Sequence, residues 1–409
     1  MALANILSIP AAGIMRGAGD FDVNSPAHDY SFPADALLEL LSFLPHKEAQ
    51  RILGTPLSKV YISSFTFDEN IWKARCVGQW KIPALTSSQK WRTLHVDLVR
   101  CLTLVDGTAR NFHGDYHNVV AIANVLDTYR TLAEIARACF GRLGLLLESH
   151  EAREATKAVD WRIMDHALWT LKTYPDDVDL QLKVLHFLVM AGRPIGRTEG
   201  TLLPTPPACD SALGAFGPTG DGVKAVLACM ERFQSNATVQ AMACWSMVNL
   251  ALITDQKKSL IVHGGISAIV EAMVRHPRNS EVHFRAMFAL INLVTPDMTA
   301  EKIIQHDTMK ALATMVVSAI QMFSNAAAIV NRGCLVLYNI ALDPGHFNAL
   351  VSIGAPEELV RAMDNHPSDA LLCQCAIGTL RRLKVGGVLN DRADILGAAF
   401  GMAQPAQAV

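Results

Sequence analysis

Met242, Trp245 and Asn249 stand seven, four and zero residues before a recurring position, and the same offsets return Arg285, Phe288 and Asn292, then Arg332, Leu335 and Asn339, then Cys375, Gly378 and Arg382. Steps of three and four put each triplet on one face of a helix. Amides, guanidinium groups and aromatic rings in this arrangement offer recognition chemistry. Guanidinium pairs well with carboxylate or phosphate, so an acidic or phosphorylated protein segment is the expected ligand. Lys183 and His186 occupy the earlier offsets before Met190 and add to the basic character. The competing reading is that Asn249, Asn292 and Asn339 only satisfy neighbouring backbone and that the arginines are solvated.

Catalytic signatures do not appear. The chain has no P-loop, no G-x-G-x-x-G, no H-E-x-x-H and no G-x-S-x-G. Cys373 and Cys375 are two residues apart, so they point to different helix faces and make a poor metal pair. His276 and His366 precede Pro277 and Pro367, which suits a structural turn, while Trp161, Trp169 and Tyr174 are expected in the core. No catalytic residue, metal or cofactor is expected, and the chain reads as a non-enzyme.

The elements that position these residues repeat. Tyr174, Phe233, His276, Phe323 and His366 are each followed sixteen residues later by Met190, Asn249, Asn292, Asn339 and Arg382, with steps of 59, 43, 47 and 43 residues between copies. A constant internal offset with a period in the forties marks stacked helical repeats. Ala243, Ala286, Gly333 and Ala376 form a column of small residues that lets a neighbouring helix approach. Met247, Leu290, Leu337 and Leu380, then Leu250, Leu293, Ile340 and Leu383, form two aliphatic columns on the buried face. Gly222, Gly265 and Pro356 mark the start of the preceding helix in each copy, and Pro277 lies beyond the end of one. Each unit therefore reads as one or two short helices, a tight turn and a long buried helix. A degenerate earlier copy is read in residues 95–150, with Leu147 in the Asn column and Gly141, Leu143 and Leu145 near the small and aliphatic columns.

The segments ACWSMVNL, AMFALINL, GCLVLYNI and AIGTLRRL resemble the third helix of the armadillo repeat, A-x-W-x-L-x-N-L, and the resemblance covers roughly residues 155–387. HEAT repeats are a structural cousin. The resemblance implies an all-α fold, an α-α superhelix, and a concave groove in which Asn amides bond an extended peptide and aromatic rings cradle its side chains. The match weakens at Gly378 and Arg382. Binding of basic import signals is disfavoured, because Trp and Asn occur together only at Trp245 and Asn249 and the groove residues are basic.

Residues 31–76 suggest a second job. Pro33 stands at a helix start, DALLELLSFL is dense in leucine, and Pro45 stops it. Leu37, Leu38, Leu40, Leu41, Phe43 and Leu44 are too many apolar residues for one buried stripe on so short a helix, so some are expected to face a partner or the solenoid. Asp68 can cap a third helix around Asn70–Cys76. With Ile71, Trp72 and Lys73, and with Trp80 and Trp91 beyond, the segment resembles an F-box, although Phe32 replaces the usual Leu. The resemblance implies binding to a Skp-type adaptor, and so to a cullin ubiquitin ligase, through Pro33, Leu37, Leu38, Leu41, Leu44 and Pro45. A simple N-terminal cap on an armadillo scaffold unrelated to ubiquitin is the alternative.

Bulk properties fit this organisation. A hydrophobic content of 51% beside 18% charged residues in 409 residues requires a large buried fraction, as stacked helices do. A net charge of −2 supplies no general attraction to nucleic acid or to an anionic membrane. Nine scattered cysteines suit a reducing compartment, and no apolar run is long enough to span a bilayer, so a cytoplasmic or nuclear location is expected. The expected boundaries are a loose leader at 1–27, the F-box-like domain at 28–94, a helical linker at 95–154, repeats at 155–387 and a frayed tail at 388–409. Seven Gly and five Pro make 192–222 an insert between the first two copies.

Overall fold

The structure, a computed structural model, describes residues 69–82, 90–107, 115–148, 161–192, 216–217, 220–295, 298 and 304–384. The chain divides into two compact units, Met1–His95 and Val96–Val409. Every regular element among the described residues is helical. In the first unit, α1 (Glu69–Trp80) is a turn longer than the sequence suggests, because Cys76 and Trp80 are both buried and lie four residues apart on one face. His95 sits between the rings of Trp72 and Trp80, at 4.9 and 5.1 Å. Glu69 Oε2 accepts from the backbone N–H of Trp91 at 2.6 Å, satisfying one orphan donor of α2 (Trp91–Gly107). Pro33, Leu37, Leu38, Leu41, Leu44 and Pro45 lie outside the described residues.

The second unit is built from helix pairs. They are α3 (Asp115–Tyr129) with α4 (Ala133–Leu146), α5 (Trp161–Thr173) with α6 (Val178–Ala191), and α7 (Asp221–Arg232) with α8 (Ala237–Leu250). After α9 (Thr254–Val262) come α10 (Gly265–Arg275) with α11 (Ser280–Leu293), then α12 (His306–Met322) with α13 (Ala327–Ile340). A short 3-10 turn and α14 (Phe347–Ser352) lead to α15 (Ala355–Asn365) with α16 (Ala370–Arg382). The later members α4, α6, α8, α11, α13 and α16 pack in that order as one layer. The earlier members α5, α7, α10, α12 and α15 pack as another, giving an α-α superhelix.

The columns read from the sequence become the interior. Ala243, Ala286 and Ala376 are fully buried, and a Cβ on Gly333 would stand 2.7 Å from Ile320 Cγ1, so this column sits where helices approach most closely. Met247, Leu290, Leu337 and Leu380 are likewise fully buried, each contributing about 2 kcal/mol of apolar burial. Gly220, Gly264 and Gly354 precede α7, α10 and α15 with left-handed backbones. Nothing lies within 4 Å of a Cβ at Gly264, so its φ of +84° and not crowding requires glycine there. Gly222 and Gly265, read as boundary markers, lie just inside the helices that these caps begin.

Side chains at fixed offsets tie each junction. Asp177, Asn236, Asn279 and Asp369 cap α6, α8, α11 and α16 by accepting backbone N–H bonds. Four residues after the caps of α6 and α8, a glutamine returns to the orphan carbonyls of the preceding helix. Gln181 Nε2 donates to Leu171 and Tyr174, and Gln240 Nε2 donates to Met230 and Phe233, all within 3.0 Å. The sixteen-residue column adds a third tie: Tyr174 Oη donates to the carbonyl of Thr131, and His276 and His366 donate through Nε2 to Gln234 and Ser324. These imidazoles therefore hold successive junctions together.

The same register corrects the degenerate copy. Counted from its cap at Leu132, α4 places Leu145 and not Leu147 in the Asn column, and Leu143 and Leu146 in the aliphatic columns. Burial agrees, since Leu143 is fully buried and Leu145 is 53% exposed. Tyr129 then falls sixteen residues before Leu145, in the column of Tyr174. The two-residue error arose because the spacing here is longer than 43 residues and Leu132 has no capping side chain to reveal it.

Two positions break these rules and yield predictions. Ala326 occupies the cap of α13 with no side-chain bond. Ala326→Asn is expected to stabilise the protein by about 1 kcal/mol in denaturant unfolding. His283 stands where Gln181 and Gln240 stand, but among the described residues its buried ring nitrogens make no well-formed hydrogen bond, although the Met273 and His276 backbone lies near. Burial pushes its pKa below the ordinary 6.5, an effect only partly offset by the nearby carbonyls of His276 and Met273. The unfolded chain therefore binds this proton more readily, so stability is expected to fall as pH drops below 6.5. His283→Gln should raise the melting temperature and flatten that pH dependence in part, since His186 and His346 are also depressed by burial.

Candidate polypeptide-binding face

The Asn column does a structural job first. Asn249 Nδ2 donates to the carbonyl of Val189 at 2.8 Å, Asn292 Nδ2 to Val248 at 2.9 Å, and Asn339 Nδ2 to Ile291 at 3.3 Å. Each acceptor belongs to the preceding layer helix, one residue before its own column position. The amides therefore bridge α6, α8, α11 and α13 in succession. Asn249 is buried, whereas Asn292 and Asn339 are half-buried and keep an edge towards the face.

The arginines are neither solvated nor loose. The Arg285 guanidinium lies 3.5 Å over the Trp245 ring and 5.2 Å from the Phe284 centroid. Arg332 lies 4.0 Å over Phe284 and 5.1 Å from Phe288. Each arginine thus reaches back over an aromatic ring of the preceding layer helix, a cation–π arrangement that also removes rotamer freedom. Lys183 follows the same geometry over Gly141, whose Cβ would stand 3.4 Å from Lys183 Cδ. Trp245, Arg285, Phe284, Arg332 and Phe288 consequently form one continuous cluster across α8, α11 and α13.

The remaining residues of the expected face divide. Met242 and Leu335 are half-buried beside the cluster's helices, while Cys375 is buried. Arg382 belongs to a separate group, stacked 4.5 Å over Tyr338 with Nη2 donating to its hydroxyl at 3.1 Å. A Cβ on Gly378 would meet Tyr338 Cε2 at 2.8 Å. The Tyr338 ring from the preceding helix thus occupies the volume that an aromatic side chain at position 378 would need. Phe284, Tyr338 and Glu281 join the site without having been singled out in the sequence. Phe284 and Tyr338 each stand one residue off the expected face, adjacent to Arg285 and Asn339, and adjacency was the only available signal.

The face presents guanidinium, amide and aromatic groups. Among the described residues no group of three or more His, Cys, Asp and Glu side chains can hold a metal ion. Burial pushes the thiols of Cys229 and Cys244 up to about 12 and that of Cys375 up to about 11, which removes their nucleophilicity near neutral pH. Asp127 and His166 meet at 2.6 Å, and Asp127 also accepts from Arg162, so this acid–imidazole pair serves to join α3 to α5. Among the described residues no helix is long and apolar enough to cross a membrane.

No curated protein matches the chain. Among solved structures, the crystal structure of an engineered protein is similar, with 17% identity over 90% of this chain and 95% of that one and a TM-score of 0.49. Residues 219–394 match the family model of the LRRK2 ARM repeat, which covers α7 to α16 and the whole cationic cluster. The repeats of this chain are armadillo-like.

Proposed function

We propose that this chain is a non-enzymatic protein-interaction scaffold whose layer-helix face holds an extended acidic or phosphorylated polypeptide, and that its N-terminal segment links that cargo to a ubiquitin ligase. The observation that carries the groove reading is the cluster of Trp245, Arg285, Phe284, Arg332 and Phe288. Three rings and two guanidinium groups converge from three successive helices, and both cations are held in place before any ligand arrives. Such preorganisation lowers the entropy lost on binding. Half-buried Asn292 and Asn339 lie beside the cluster with an acceptor oxygen each still to offer a peptide backbone.

The ligase link rests on residues 31–76 alone. Their Pro-bounded leucine helix resembles an F-box, with Pro33, Leu37, Leu38, Leu41, Leu44 and Pro45 as the apolar contact to a Skp-type adaptor by helix-in-groove recognition. A scaffold acting outside ubiquitin transfer is the second reading, with the same groove and no adaptor.

Two measurements test these proposals. Full-length protein should retain a purified Skp adaptor, and charged residues at Leu38 and Leu41 together with a Pro45 substitution should abolish retention. Absence of retention by the unaltered chain leaves only the scaffold reading. For the groove, Arg285→Glu combined with Arg332→Glu should weaken binding of acidic peptides at least about tenfold while the melting transition persists. Unchanged affinity in a folded variant would remove the cationic cluster from the binding site.

A further inference from the structure

The charged positions along the layer helices are not equivalent. Two residues after the cap, α6 carries Asp179 and α11 carries Glu281, and each pairs with the basic residue one turn later. Asp179 lies 3.6 Å from Lys183, and Glu281 Oε1 lies 2.6 Å from Arg285 Nε. In α13 the equivalent position is Ala328, which offers only its carbonyl, at 2.9 Å from Arg332 Nη1. Among the described residues Arg332 therefore has no carboxylate partner, and its buried Nε has no acceptor.

Arg332 is also pressed towards another cation. Arg285 and Arg332 flank the same Phe284 ring, at 5.2 and 4.0 Å from its centroid. Burial, with the neighbouring Arg285 charge second, lowers the pKa of Arg332. Glu281 engages only Nε of Arg285, leaving the outer edge of that guanidinium for a ligand. Two positive groups held together against repulsion, of which only Arg285 has a carboxylate partner among the described residues, are arranged for an anion that reaches both.

We propose that Arg285 and Arg332 form a phosphoryl subsite, in which a phosphorylated side chain of the bound polypeptide lays its dianion across both guanidinium groups beside Phe284. This deepens the groove reading and rests on it. A carboxylate carries a single charge, so it offsets only one of two guanidinium charges. A phosphoryl group has three terminal oxygens and nearly two charges at neutral pH, so it can engage both arginines and offset both of their charges. The substrate class is therefore a phosphorylated segment, with the ring of Trp245 on one side of the subsite and that of Phe288 on the other.

The test uses full-length protein and three fluorescent peptide pools with degenerate flanks and a fixed central phosphoserine, aspartate or serine. The phosphoserine pool should bind about tenfold tighter than the aspartate pool at neutral pH, and lose that advantage as pH falls below about 6, where the phosphate dianion takes up a proton and becomes a monoanion. Arg332→Gln should erase the preference. Ala328→Glu should erase it as well, because it supplies Arg332 with the carboxylate that Lys183 and Arg285 already have, while every arginine remains. Its far-ultraviolet spectrum and melting temperature should match the parent. Equal binding of the phosphoserine and aspartate pools, or a preference that survives in folded Ala328→Glu, would overturn the phosphoryl subsite and leave a generally acidic groove standing. Failure of every pool to bind would overturn the groove reading itself.

Discussion

The second unit depends on close approach of helices, both within a pair and between successive layer helices. Gly333 lets α13 lie against α12 of its own pair, where a Cβ would meet Ile320, and fully buried Ala243, Ala286 and Ala376 hold the equivalent positions. Asn249, Asn292 and Asn339 bridge to backbone carbonyls of the preceding layer helix. A helix carbonyl has a second lone pair, so it accepts an amide without surrendering its intrahelical bond. The bridge also sets the stagger between helices. With that stagger fixed, each basic residue near the start of a layer helix falls over a ring, or over a glycine, of its predecessor. The cationic face is in this sense a product of the packing register.

Junction chemistry keeps the register from slipping. Caps, glutamines and the Tyr/His column each satisfy backbone groups that helix ends leave open, and they do so at constant offsets. Because each contact joins only adjacent units, stability in such an array is approximately a sum of unit and interface contributions. Departures are therefore felt locally. Ala326 and His283 weaken single junctions, and Ala328 leaves a single arginine without its counter-charge. Weak spots in the frame and special chemistry on the face both arise from single substitutions in the first turn of a layer helix, at the cap or two or four residues after it.

Much of this was legible before any coordinates. Helical spacing alone separates Met247, Leu290, Leu337 and Leu380 from the face that carries Trp245 and Phe288, because side-chain direction follows from position along a helix. Glycine and proline mark the boundaries for equally local reasons, although the left-handed residues are Gly220, Gly264 and Gly354 and not those first singled out. The register of α4 was misread by two residues because its cap is an apolar Leu132 and its spacing departs from the later period. Phe284 and Tyr338 were missed because their role depends on which residue of the next helix lies above them.

The sequence by itself determined the period, the helices, the buried columns and the presence of arginines on one side of the array. All of these are consequences of spacing within a single helix. Only the tertiary structure decided what those arginines and asparagines do. Whether Asn292 meets a ligand or the carbonyl of Val248, and whether Arg285 faces water or the ring of Trp245, depends on an atom some forty residues away. That distance in sequence closes to a few ångströms only when two helices settle at one particular offset, and the offset is a property of the pair.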